Sequence, residues 1–166
     1  MPASAAVRLS KTALVATAAF FATLVVFNNV TDYGSNFNYV HHVLSMDTTF
    51  PGNSGMWRHI DSVAATHAAY GLIILVEAGI ALLGWVAVAR LAGRRGDPMA
   101  FAAAKGPAVL ALTLGIVLWF GGFIVLGGEW FLSWQSPTWN GLNESARFSM
   151  LYLLILLYLV QPEPAQ

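Results

Sequence analysis

SVAATHAAYGLIILVEAGIALLGWVAVARL, from Ser62 to Leu91, decides the class of this chain. Only His67 and Glu77 interrupt its apolar run before Arg90. About 20 mostly apolar residues are enough for a helix to cross roughly 30 Å of hydrocarbon, and this stretch exceeds that. Three further runs read the same way: about 12–30, about 107–128 and about 143–160, the last stopped by Gln161-Pro162. Lipid admits only helices or closed barrels. None of these runs alternates polar with apolar residues as a barrel strand does, so helices are predicted. Composition agrees: 57% of the 166 residues are hydrophobic and 10% charged, against about 45–50% and about 25% in soluble domains. The expected fold is an all-α polytopic membrane protein, a single membrane domain over 1–166. It has four transmembrane helices, about 12–30, 62–91, 107–128 and 143–160, and a short interfacial helix within a first outer loop, 31–61.

Charge placement orients the bundle. Arg8 and Lys11 precede the first span, and Arg90, Arg94, Arg95 and Lys105 surround the connector between the second and third; only Arg58 and Arg147 fall on the other side. The excess of basic residues marks the cytoplasmic face, so both termini are expected there. Trp130, Trp134 and Trp139 mark the opposite interface. The first apolar run is longer than the roughly 7–15 residues of a signal-peptide core, and Val30-Thr31-Asp32 after it is no cleavage site. In the outer loop, Phe37, Val40, His41 and Leu44 fall at i, i+3, i+4 and i+7. That spacing predicts a short amphipathic helix lying on the membrane surface, Phe37–Met46. A net charge of zero argues against nucleic acid as a partner. The absence of cysteine excludes disulfides, thiolate metal sites and thiol catalysis. No internal repeat supports an inverted-repeat transporter.

Glu77 is the most informative residue. Counted from Ser62 it sits near the middle of the membrane, where an ionised carboxylate costs at least about 2.5 kcal/mol. One reading is a proton or ligand site. The other is a protonated carboxyl cross-linking helices, with Thr23, Trp119, Ser149 or Tyr152 at suitable depth. Of the histidines, only His67 lies inside a span. A haem held by facing imidazoles would need to borrow His41 or His42 from the loop. A zinc or copper site from His41, His42, His59 and Asp47 is chemically conceivable, yet helix neighbours such as His41 and His42 point apart. No nucleophile motif, metalloprotease motif or phosphate-binding loop is present. No cofactor is therefore predicted, with haem or quinone kept as an alternative. Gly115, Gly121, Gly122 and Gly128 read as helix-packing positions. Spacings of seven put Gly115 with Gly122, and Gly121 with Gly128, on shared faces that admit a neighbouring helix.

Asn28-Asn29-Val30-Thr31-Asp32-Tyr33, then Val40-His41-His42-Val43-Leu44-Ser45-Met46-Asp47-Thr48-Thr49-Phe50-Pro51 and Trp57-Arg58, form a distinctive pattern ahead of the Glu77 helix. Across nearly its whole length the chain resembles the bacterial family of small integral membrane proteins called domain of unknown function 2165. The resemblance implies a bacterial inner-membrane protein with four helices and brings no established activity. It points to Asn28, Asn29, Asp32, Tyr33, His42, Asp47 and Trp57 as the region to inspect. The leading functional expectation is a non-catalytic accessory or scaffold subunit of a larger inner-membrane complex, respiratory or photosynthetic in kind. Its partners are then the lipid bilayer and other integral subunits. The alternatives are a small transporter or membrane enzyme using Glu77, and a haem or quinone protein using His67.

Overall fold

A computed structural model describes residues 3–163. Among the described residues there are helices and turns and no strand. Four helical stretches are long and apolar enough to cross a membrane: Ala3–Thr31 (α1), Val63–Arg94 (α3), Pro98–Trp130, and Leu142–Val160 (α6). The third is composite, made of α4 (Pro98–Ala103), α5 (Gly106–Ile116) and a π-helical segment, Val117–Trp130. Neighbours in the bundle follow chain order: α1 packs on α3, α3 on α5, α5 on α6, and α6 returns to α1. This is an up-and-down four-helix bundle.

Capping chemistry sets several boundaries. The Ser62 hydroxyl accepts from the Ala65 amide at the start of α3, and Asp97 accepts from the Met99 and Ala100 amides ahead of Pro98 in α4. At the other end of the scale, α1 starts at Ala3 and α3 runs to Arg94, both beyond the apolar runs of the sequence. Helices need not stop where hydrocarbon does. Here the extra turns are held by charged side chains at one end of the bundle, called the basic end below. The Arg8 guanidinium donates from Nε to the Arg95 carbonyl at 2.7 Å. Lys11 and Lys105 each donate from Nζ to the Gln161 carbonyl, at 2.8 and 3.0 Å, and both pair with Glu163. Lys11 is fully buried in this cluster. Burial alone would raise the Glu163 carboxyl, but the Lys105 and Lys11 ammonium groups outweigh it and hold that carboxyl below the usual range.

The core is built from small residues and rings. A Cβ on Gly84 would lie 2.7 Å from the Ala19 Cβ, so α1 and α3 meet nearly backbone to backbone. Phe21, Trp119, Phe148 and Tyr152 form an aromatic layer, with centroids 4.9 Å apart for Phe21–Phe148 and 5.0 Å for Trp119–Tyr152. Such pairs are each worth about 0.5–1.5 kcal/mol beyond burial. Leu72, Leu75, Leu82 and Leu110 remain largely exposed. An apolar surface of that kind matches lipid rather than water.

The outer-loop helix is longer than expected. α2 spans Tyr33–Ser45 and follows α1 with only Asp32 between them. The Asp32 amide still donates to the Asn28 carbonyl at 2.8 Å, and its backbone then leaves the helical region (φ −120°, ψ 55°). Met46, at φ 55°, ends α2 by donating its amide to the His42 carbonyl. The rest of 31–61 is an ordered cap locked to residues 131–141, the connection between the third and fourth spans. Thr48 and Ser136 share a hydroxyl hydrogen bond of 2.7 Å, and the Phe50 amide donates to Gln135 Oε1 at 3.1 Å. The Ile60 amide returns to the Leu44 carbonyl at 2.8 Å.

The third span departs most from expectation. Past Ile116 its bonds run from residue i to i+5, ending with the Phe131 amide donating to the Leu126 carbonyl at 2.9 Å. π turns are rare and mostly single. A wider helix turns through less angle per residue, so spacings of seven no longer return to one face. Gly115, still within α5, packs inward under the Tyr152 and Trp119 rings, whereas Gly122, past the change of turn, does not share its surroundings; a Cβ on Gly128 would meet Leu142 at 2.7 Å, and one on Gly121 meets nothing beyond its own helix.

Candidate functional site

Glu77 is 2% exposed. Its partner is none of the residues expected from depth: Asn29 donates from Nδ2 to Glu77 Oε2 at 2.6 Å. None of the four residues expected from depth bonds to it. The Thr23 hydroxyl accepts from Trp85 Nε1, Ser149 donates to the Ser145 carbonyl, Tyr152 donates to the Ala18 carbonyl, and Trp119 lines the space beside the carboxyl. Asn29, one of the residues the family pattern singles out, lies at the far end of the first span, away from the mid-depth at which partners for Glu77 are expected.

That pairing also relocates Glu77. Asn29 lies just before the end of α1 at Thr31, and the rise from Lys11 to Asn29 is about 27 Å at 1.5 Å per residue. With Lys11 at the basic end, the carboxyl therefore lies nearer the capped end of the bundle than the basic end. The first turns of α3 pack against α2 beyond it.

Asn29 is itself tightly held. Asn36 of α2 donates from Nδ2 to Asn29 Oδ1 at 2.8 Å, and the Tyr70 hydroxyl donates to the Asn29 carbonyl at 3.0 Å. The Tyr70 ring lies 4.6 Å from Tyr33, whose hydroxyl shares a 2.9 Å hydrogen bond with His67 Nδ1. Three helices thus contribute to one polar column: Asn29 from α1, Tyr33 and Asn36 from α2, and His67, Tyr70 and Glu77 from α3. Tyr33 and His67 form its outer end, and Glu77 its inner end. Beside the carboxyl is a cavity of about 150 Å³, walled by Asn29, Asn36, Tyr39, Tyr70, Trp119 and Phe123 among others. Burial pushes the Tyr39 phenol up, partly opposed by its hydrogen bond to the Gly141 backbone.

The motif residues divide between two places. Asn29 and Tyr33 belong to the column. Asn28 and Asp32 make the α1–α2 junction, where Ser35 donates its hydroxyl to Asp32 Oδ1. His42 and Asp47 are in the cap: His42 Nδ1 lies 2.7 Å from Asp47 Oδ2, and its ring stacks on Trp139 at 4.5 Å. Trp57 is largely exposed, edge-on to Trp130, with Arg58 over the Trp130 ring. His41 Nδ1 is 3.3 Å from Thr66 Oγ1, and His59 Nδ1 is 2.6 Å from the Met56 carbonyl. The Phe37 ring packs on both His41 and His67. Among the described residues no three His, Asp or Glu side chains converge on a common point.

A second feature lies on the outside of the bundle. α2, α3 and the π segment enclose an open groove of about 610 Å³, almost wholly apolar, reaching from Leu114 to Phe131. Its floor includes Gly121 and Gly122, where an added Cβ would contact only the Val117 and Leu118 side chains of the same helix.

The family described as predicted small integral membrane protein (DUF2165) matches residues 7–162. No curated protein and no solved structure matches the chain.

Proposed function

This chain belongs to the small integral membrane proteins of domain of unknown function 2165, and from that premise we propose that it is a non-catalytic accessory subunit of a larger bacterial inner-membrane complex. The occupant of its external groove is a transmembrane helix of a partner subunit. The observation that carries this reading is the groove's glycine floor. Gly121 and Gly122 present bare backbone between ridges of apolar side chains, which is how one helix admits another at close range in lipid. The groove is also long in the spanning direction, from Leu114 to Phe131, and roofed by α2 through Val40, Val43 and Leu44. A partner helix seated there touches both the membrane bundle and the ordered cap. The proposed orientation places the basic end, with Arg8, Lys11, Arg95 and Lys105, in the cytoplasm.

Purification in mild detergent tests the reading. The wild-type chain brings down integral subunits in fixed ratio. Gly122→Leu fills the groove floor from outside the bundle core, so the chain stays inserted while those subunits are lost. Unchanged co-purification with Gly122→Leu refutes the groove as the contact. A wild-type chain that purifies alone, or only with copies of itself, refutes the accessory role.

A further inference from the structure

The partner-helix reading leaves the Glu77 cavity unused. We infer that this cavity binds a small organic monocation of the alkylammonium class, which replaces the proton on Glu77.

Three observations point to that ligand. First, the carboxyl is buried and its single protein donor is the neutral Asn29 amide; Oε1 accepts no hydrogen bond among the described residues. No Lys, Arg or His is among the residues lining the cavity. A buried carboxylate needs a cation or a proton, and here the protein supplies no cation. Second, the walls suit a cation. Rings of Tyr39, Tyr70, Trp119 and Phe123 surround the space, and aromatic rings attract ammonium groups most strongly when water is excluded. Asn36 uses a donor on Asn29, which leaves its amide oxygen as a second acceptor. Third, there is room. A helix cross-link needs only contact between Asn29 and Glu77, yet about 150 Å³ remains beside them. A cavity near 150 Å³ holds a molecule the size of benzene, which sets the ligand at about six heavy atoms or fewer.

Apart from Glu77 itself, the titratable groups lining the cavity are the phenols of Tyr39 and Tyr70. None offers a competing positive charge. The exchange balances simply. The ammonium enters as a cation, the Glu77 proton leaves to water, an ion pair forms, and no covalent bond of the ligand changes.

The test uses the full chain in micelles of an uncharged detergent, titrated with tetramethylammonium chloride and, separately, with sodium chloride at equal ionic strength. Tryptophan fluorescence reports occupancy beside Trp119, and a pH dye in weak buffer counts protons. The expected result is saturable binding of tetramethylammonium with release of about one proton per cation. In Glu77→Gln binding weakens at least about tenfold, as expected for losing a charged partner, and proton release vanishes. Trp119→Leu weakens binding while leaving proton release coupled to whatever binds. Equal response to sodium overturns the organic-cation assignment. Binding without proton release, or unchanged in Glu77→Gln, removes Glu77 from the site. No saturation by tens of millimolar means the cavity holds water only. Should Glu77→Gln not purify as a folded chain, the wild-type proton count and the comparison with sodium decide by themselves.

Discussion

Replacing Asn29 by Ala tests whether the polar column holds the capped end together. The substitution removes the donor to Glu77 Oε2 and the acceptor for Asn36 Nδ2. It spares the Tyr70 bond, which goes to the Asn29 backbone carbonyl. An interhelical hydrogen bond in a membrane is worth about 0.6 kcal/mol on average and about 1.7 at most. A buried polar group left unsatisfied adds about 1–3 kcal/mol. Asn29→Ala is therefore expected to cost about 2–3 kcal/mol. Glu77→Gln keeps an acceptor for Asn29 and is nearly silent, whereas Glu77→Leu costs about 0.6–2 kcal/mol. Combined with Asn29→Ala, Glu77→Leu loses most of its cost, because the carboxyl has already lost its donor. The coupling energy of the cycle is expected at about 1–2 kcal/mol, within the range for residues in contact. Reversible unfolding in mixed micelles by denaturing detergent measures all four proteins. Additivity within about 0.3–0.5 kcal/mol, as for distant sites, refutes the column as a coupled unit.

Reporter fusions at Gly96 and Gly52 are expected to give cytoplasmic and external signals respectively; the same side for both defeats the four-span topology. At the basic end, Glu163 is held below its unfolded value of about 4.3. Its pairing with Lys11 and Lys105 therefore stabilises fully above that pH, and the contribution is lost as pH falls through the lower folded value. Acid unfolding of Glu163→Gln is expected to lack that limb, and superimposable acid transitions for the two proteins contradict it.

How legible was this in the sequence? The spans were, because hydrocarbon imposes a length and a composition that Ser62–Leu91 displays without help from any contact. The clustering of basic residues was legible as well: Lys11 and Lys105 share the Gln161 carbonyl and the Glu163 carboxylate, and Arg8 reaches the Arg95 carbonyl, all at one end of the bundle. α2 was legible as amphipathic, though its first turn was not. Nothing in the residues shows that Asp32 interrupts the helix for a single position instead of opening a loop.

The site was only half legible, and the reason is periodicity. Glu77 announced itself as an acid in an apolar run, but finding its partner required knowing the level at which α1 and α3 are aligned. That alignment is fixed elsewhere, by the close approach of Ala19 to Gly84, which places Asn29 beside Glu77 two to three turns nearer the cap. A count from either helix end alone carries no information on that alignment. The third span shows the same limit in rotation. The seven-residue glycine spacings assume 3.6 residues per turn, and the i to i+5 bonding past Ile116 breaks that assumption. The same change of turn carries Gly121 and Gly122 to the outside while Gly115 stays under Tyr152. The outward opening of the groove thus depends on a change of helix geometry that begins just past the inward-packed Gly115.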